Sequence, residues 1–127
     1  MLNEKQLKKL DKALGKLLPI KKPEDEINKT SVFSDASVVV AIQIKDNALL
    51  EWVKQRFISG SEIEEVTINK LEWSVNGKSL VSLEYFKLVL NVFDAISETV
   101  SIQVAKDYPI CLENDMIKCI IAPRCSE

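Results

Sequence analysis

The sequence predicts a single α+β domain preceded by an amphipathic helix. Apolar residues recur at helical spacing in three stretches, and they alternate with polar residues at a spacing of two in several others. Turn-forming pairs such as Asn76-Gly77 separate the alternating stretches. A length of 127 residues suits one domain with its own core. The predicted order is helix, extended connector, β-α-β-β-β and then α-β-β-β. The last two groups are two similar modules in succession.

An amphipathic helix is predicted for residues 3–18, within an N-terminal segment of residues 1–18. Leucines at a spacing of three and four form its apolar face. The opposite face carries Lys5, Lys8, Lys9, Lys12 and Lys16. Three interpretations are open: a packed helix with a solvated lysine face, a helix that contacts nucleic acid, and a helix that docks on a partner or on a membrane surface.

The charge of the chain is distributed unevenly. Residues 1–22 hold seven lysines against Glu4 and Asp11, a net charge of +5, while the whole chain has a formal net charge of −2. The rest of the chain is therefore acidic. Such an asymmetry indicates a basic arm that contacts an acidic partner.

An extended connector is predicted for residues 19–34. Pro19 ends the first helix, and the segment then combines a second proline with a mixed charge run. The apolar residues in it stand apart from one another: Ile27, Val32 and Phe33. This composition is typical of a linker.

The remaining residues, 35–127, are predicted to form the α+β domain. Residues 36–44 are β-branched and apolar on both faces, which is typical of a central strand. A helix is predicted for residues 48–58, with Asp46 or Asn47 as its cap. Its inward residues are predicted to be Leu49, Leu50, Val53 and Phe57.

Three strands and a second domain helix are predicted next. The strands span residues 65–70, 71–75 and 78–82, with Asn76-Gly77 as a tight turn. The helix begins at residue 83, and its apolar face is predicted to carry Leu83, Phe86, Leu90, Phe93 and Ile96.

Strands follow to the end of the chain, at residues 100–105, 110–113 and 116–121. Asn114-Asp115 has the chemistry of a turn, and Pro123 ends the last strand because proline has no N–H to donate.

The composition argues against catalysis. The chain has no histidine and three scattered glycines, so it contains neither a Ser-His or Cys-His pair nor a glycine loop for phosphate. Its three cysteines have no metal-ligand spacing, and Cys111 and Cys119 are predicted to be buried. No apolar run approaches the roughly 20 residues of a membrane span. We expect a soluble, intracellular, non-enzymatic protein with no cofactor and no membrane partner.

The C-terminal segment carries short motifs in a fixed order. They are LEY at 83–85, TV at 99–100, Asp107, Pro109, LE at 112–113, Lys118 and IAPR at 121–124. In this order and spacing they resemble the end of a PCNA-type DNA sliding clamp subunit, and residues 19–34 resemble its interdomain connector. The resemblance covers residues 23–124. It implies a shortened C-terminal clamp domain, with two helices on one face of a curved antiparallel sheet.

The chain departs from that family in two places. Only residues 76–82 separate the strand at 71–75 from the helix at residue 83, where family members have further strands. The missing part includes the edge strand with which clamp subunits close their ring. The N-terminal domain is replaced by a helix, which we expect to cover the exposed sheet edge.

The resemblance implies a peptide-binding surface between the connector and the C-terminal tail. Family clamps bind client peptides there through an apolar plug and backbone pairing. The matching residues are Pro109, Ile120, Ile121, Ala122 and Pro123, with Ile27, Val32 and Phe33 as the connector wall. The alternative is that the isoleucines are ordinary sheet residues.

Nucleic-acid contact is the second implied property. Clamp helices face the duplex with basic residues, but the two domain helices here offer only Lys54, Arg56 and Lys87 beside several carboxylates. The lysines of the N-terminal helix are therefore the better candidate surface.

We expect a non-enzymatic DNA replication or repair accessory that is clamp-like and binds client peptides, a full-length clamp or a clamp loader. The alternatives are a small subunit of a larger nucleic-acid enzyme and a stand-alone nucleic-acid binder that uses the lysine face. The expected location is cytoplasmic and nucleoid-associated in an archaeal or viral setting, and nuclear in a eukaryote.

Overall fold

The computed structural model describes residues 2–24, 30–60, 83–96, 99–103 and 109–122. This part of the chain contains three helices and one antiparallel sheet of five strands, which confirms the α+β class. The helices are α1 (Glu4–Gly15), α2 (Asn47–Lys54) and α3 (Leu83–Ile96). The strands are β1 (Val32–Ser34), β2 (Val40–Ile44), β3 (Ser101–Gln103), β4 (Ile110–Glu113) and β5 (Ile117–Ile121). The strands and turn predicted for residues 65–82 lie outside these ranges.

The strand order in the sheet is β1-β2-β5-β4-β3, and every pair of neighbours is antiparallel. β5 is the central strand. Its Cys119 lies opposite Ile42 of β2 on one side and opposite Leu112 of β4 on the other. Both edges of β5 are therefore engaged in ladder hydrogen bonds.

Side-chain alternation gives the sheet two different faces. One face carries the apolar residues of the main core, among them Phe33, Ile42 and Ile121, and the helices pack on this face. The other face carries a separate buried cluster, which we call the far-face cluster. It consists of Val32, Ala41, Cys111 and Ile120.

α1 begins at a capping box, because the Asn3 side chain accepts from the Gln6 N–H at 2.8 Å and the Gln6 side chain accepts from the Asn3 N–H at 2.9 Å. Leu10 and Leu14 are buried, as predicted. The helix ends at Gly15, earlier than expected. Its main contact is with α3 rather than with an edge strand of the described sheet, contrary to the expectation that it covers the sheet edge.

α2 is capped by Asp46, which accepts from the Leu49 N–H at 2.8 Å, and it is shorter than predicted. The N–H of Ile58 donates to the carbonyl of Pro19 at 3.1 Å, and that of Lys21 donates to the carbonyl of Arg56 at 2.9 Å. This pairing with the connector takes residues 56–58 out of the helix. Phe57 and Val53 are nevertheless buried, as expected.

α3 begins at Leu83, as predicted, but its buried face is displaced from the predicted stripe. Leu83 is 64% exposed, whereas Val89 and Val92 are buried beside Phe93 and Ile96. The reason is that α3 packs against two partners, α1 and the sheet, and therefore buries a wider face than one stripe. No helix among the described residues is long and apolar enough to span a membrane.

The turn between β1 and β2 is held by a buried carboxylate. Asp35 accepts hydrogen bonds from the N–H groups of Val39 at 2.8 Å and Val40 at 2.9 Å. Val38, at the outer side of this turn, has a φ of 56° and is 40% exposed. A β-branched residue is strained in this left-handed region. A hydrogen bond with Asp35 raises the pKa of Tyr85 in α3, so the turn is also tied to the helix layer.

The last hairpin confirms the predicted strands and turn. In the turn between β4 and β5, the Asn114 side chain accepts from the N–H groups of Met116 and Ile117, each at 2.9 Å. Ile102 of the edge strand β3 is 47% exposed, although its neighbour Leu112 in β4 is buried.

Candidate functional site

The five lysines predicted on α1 are exposed in the structure. Lys5, Lys8, Lys9, Lys12 and Lys16 all lie on the side of the helix away from its buried leucines. At a spacing of three and four they form one row, which we call the lysine row. At 1.5 Å per residue the row is about 16 Å long. The packing of the leucines fixes the orientation of α1, so the row faces outward.

A groove between α1 and α3 runs along one side of the lysine row. It has a volume of about 160 Å³. One wall carries Lys9, Lys12 and Lys16, and the other carries Asn91 and Asp94. Three ammonium groups against one carboxylate leave the groove positive, and an anion such as a phosphate oxygen suits it.

The three basic residues proposed on the domain helices do not extend the row. The Arg56 guanidinium lies 4.1 Å from the centre of the Trp52 ring and donates to the Trp52 carbonyl at 3.0 Å. It also lies 3.9 Å from Asp11. Lys54 is half-buried and has a partner within the chain. Lys87 is exposed on α3, but it does not line the groove.

The predicted peptide surface is divided between the two faces of the sheet. Val32 and Ile120 come together in the far-face cluster, whereas Phe33 and Ile121 lie in the main core under the helices with no exposed surface. Phe33 and Ile121 therefore cannot share one peptide surface with Val32 and Ile120, and this part of the expectation is wrong. Neighbouring residues of a strand point to opposite faces of the sheet. A resemblance in sequence order does not show which residues share a face.

Backbone pairing of a peptide with the last strand is also excluded for residues 117–121. β5 is paired along both edges, and the N–H of Ala122 donates to the carbonyl of Val39 at 2.8 Å. Pro109 and Ala122 are half-buried beside the strand ends. Ile27 and Pro123 lie outside the described residues.

The two cysteines that the structure describes, Cys111 and Cys119, are buried. Cys111 and Cys119 are free thiols, as expected from their apolar surroundings. Burial raises the pKa of Cys111 to about 11, and burial also raises the pKa of Cys119. Both are therefore protonated at neutral pH and are poor nucleophiles. Within the ranges that the structure describes, no group of acidic or cysteine residues could hold a metal ion.

A second concavity lies between the starts of α1 and α2, and the sequence did not predict it. This apolar pocket has a volume of about 180 Å³. Its lining is Leu2, Leu7, Asp46, Ala48, Leu49, Trp52 and Met116. Leu2 precedes the cap of α1 and Leu7 is its fourth helical residue, the two positions of a hydrophobic staple. That spacing is the sequence signal that would have placed both leucines together.

A comparison of the chain with protein-family models, with curated proteins and with solved structures found no match.

Proposed function

We propose that this protein is a non-enzymatic nucleic-acid-binding accessory that contacts the phosphate backbone through the lysine row of α1. One observation carries the proposal: the apolar face of α1 is buried against α3 while all five lysines are exposed. A helix fixed in this way presents its ammonium groups without first having to be ordered. This reduces the entropic cost of ordering that a flexible basic arm would incur on binding.

The length of the row suits a phosphate backbone. Each strand of a duplex carries one phosphate per 3.4 Å of helix axis, so a row of about 16 Å is as long as about five phosphates of one strand. Lysine is a compact charge that neutralises phosphate without reading base edges. We therefore expect binding that depends strongly on salt and hardly at all on nucleotide sequence.

The salt dependence of binding to a fluorescently labelled duplex tests the proposal. If four to five phosphates are neutralised, the logarithm of the association constant falls with the logarithm of the salt concentration with a slope of about −4. Between about 50 and 200 mM KCl the affinity then drops roughly 150- to 500-fold. Fluorescence anisotropy over this range measures the slope.

A pair of matched variants separates the lysine row from net charge alone. Lys8→Gln with Lys12→Gln removes two charges from the row, and Lys22→Gln with Lys45→Gln removes two charges elsewhere. The first variant should reduce the magnitude of the slope by about 2. The second should leave it nearly unchanged. Equal slopes for the two variants would show that the row is not the binding surface.

The replication or repair setting and a sliding-clamp-like arrangement belong to the same proposal. They are supported by the resemblance of residues 23–124 to clamp subunits and by an antiparallel sheet with helices packed on one face. The lysine row itself lies outside the resemblance, so its test does not depend on that setting.

Binding of a clamp-client peptide is a second candidate function, which the far-face cluster favours. Val32 of the connector and Ile120 of β5 share this cluster, and both were proposed as parts of the peptide surface. They are buried, so a peptide reaches them only in molecules in which the cluster opens. The apparent affinity is reduced by the fraction of open molecules.

The second candidate is tested by titrating a peptide of the pattern Q-x-x-aliphatic-x-x-aromatic-aromatic, with calorimetry as the readout. We expect micromolar binding that is lost in Ala122→Glu, since Ala122 is half-buried beside β5. Ala36→Glu, at an exposed alanine in the turn after β1, is the matched control and should bind normally. The same affinity in both variants would contradict a site at this end of the sheet.

A further inference from the structure

We propose that the apolar pocket between the starts of α1 and α2 binds an aromatic side chain of a partner peptide, next to a basic residue of that peptide. This inference does not rest on the proposed nucleic-acid contact. The pocket and the lysine row use different sides of α1, because Leu7 lies on the apolar face and the lysines on the opposite one.

The size and the lining of the pocket fit an aromatic ring. A cavity of about 150 Å³ lined by apolar side chains binds benzene in other proteins, and this pocket has about 180 Å³. The indole of Trp52 lines the pocket while the Arg56 guanidinium lies on its ring, and the thioether of Met116 makes favourable contacts with aromatic rings. Leucines from both helices complete the walls.

The walls of the pocket are held by backbone hydrogen bonds, so the pocket exists before a ligand arrives. The carbonyl of Met116 accepts from the N–H groups of Lys45 at 2.7 Å and Asp46 at 3.3 Å. The side chain of Asn114 fixes the N–H of Met116 from the other side. Preformed walls reduce the cost of binding.

Carboxylates flank the pocket and favour a basic partner, and the one described cation on its lining, the Arg56 guanidinium 4.1 Å from the centre of the Trp52 ring, also lies 3.9 Å from Asp11. Asp46 lines the pocket itself, and Glu51 lies one helical turn after Ala48. On α1, Glu4 is three residues before Leu7 and therefore lies beside it. The nearby Lys45 does not cancel this charge, because its ammonium group is 2.8 Å from Glu113.

The test uses three probes: N-acetyl-phenylalanine amide and the corresponding Phe-Arg and Phe-Glu dipeptide amides. Binding is followed by NMR on protein labelled at the methionine methyl groups, since Met116 is one of only two methionines. We expect the Met116 signal to shift, with a dissociation constant on the order of 1 mM for the single residue. The Phe-Arg probe should bind roughly five-fold more tightly than Phe-Glu.

Two substitutions check the position and the charge of the site. Ala48→Phe fills the mouth of the pocket from an exposed helical position and should abolish the Met116 shift, whereas Ala36→Phe should not. Asp46→Asn keeps an efficient helix cap but removes the charge. It should reduce the preference for Phe-Arg without loss of binding by N-acetyl-phenylalanine amide.

Three results would overturn the inference. A Met116 signal that does not move at high concentrations of all three probes rules out the pocket as an aromatic site. A shift that persists in Ala48→Phe places the probe elsewhere. Equal affinities of the Phe-Arg and Phe-Glu probes in the unmodified protein remove the basis for a basic partner.

Discussion

α1 and β5 both contribute apolar residues to the main core, but they differ in what they leave for a partner. α1 lies at the outside of the helix layer, so one side is buried and the other presents the lysine row. β5 lies in the middle of the sheet, with its edges paired and its side chains buried on both faces. An element at the periphery keeps a free surface, whereas a central strand has no unpaired backbone, and its side chains reach a partner only where the packing over them opens.

The largest effect that tests this contrast comes from β5. Ile121→Ala should reduce the free energy of unfolding by about 2–5 kcal/mol, because it removes a fully buried side chain from the core. Ile102→Ala is the same substitution in the edge strand β3, where the side chain is 47% exposed. There we expect a loss below about 1 kcal/mol. Urea unfolding followed by circular dichroism measures both, and similar losses would show that β5 is not the structural centre.

A smaller effect of opposite sign is expected at the exposed turn that leads into β2. Val38→Gly should stabilise the protein by about 1 kcal/mol, since glycine adopts a positive φ without the clash of a β-branched side chain. Val39→Gly, in the same turn but without a positive φ, is the control and should destabilise. The midpoints of urea unfolding distinguish the two. Destabilisation by Val38→Gly would mean that its side chain contributes contacts that outweigh the strain.

The smallest effect concerns the pH dependence of stability. The pKa of Cys111 is about 11 in the folded protein, compared with an ordinary value of 9.0, so the folded state holds this proton more tightly than the unfolded state. The resulting stabilisation is fully present below about pH 9 and is lost as the pH rises towards 11. Cys111→Ala should therefore show a shallower fall of the unfolding free energy from pH 9 to 11. An unchanged slope would show that other groups, such as Cys119 and Tyr85, cause the fall of the unfolding free energy.

The helices were largely predictable from the sequence because their determinants are local. Asn3 and Asp46 act as caps, and the leucine spacing of α1 identifies its buried side. The end of α2 was not predictable, since it depends on the pairing of Ile58 with Pro19, far away in the chain. The same holds for the wide buried face of α3, which reflects two packing partners.

The candidate sites were predictable only where one element makes them alone. The lysine row belongs to one helix, and its exposure follows from the leucine pattern of that helix. The far-face cluster and the apolar pocket each combine residues from separate segments. For the peptide surface, the deciding fact was that β5 pairs with β2, and no local pattern around Ile120 specifies that partner.

The pairing of β2 with β5 also determines when the molecule can fold. These two strands are neighbours in space but are separated by most of the domain in the chain. Contacts of such long range slow folding, because a large loop must close before they form. During synthesis, the edge of β2 opposite β1 has no partner until residues 117–121 have left the ribosome. Until then that edge of β2 is open to pairing with other chains, and the risk of aggregation lasts until β5 pairs with it.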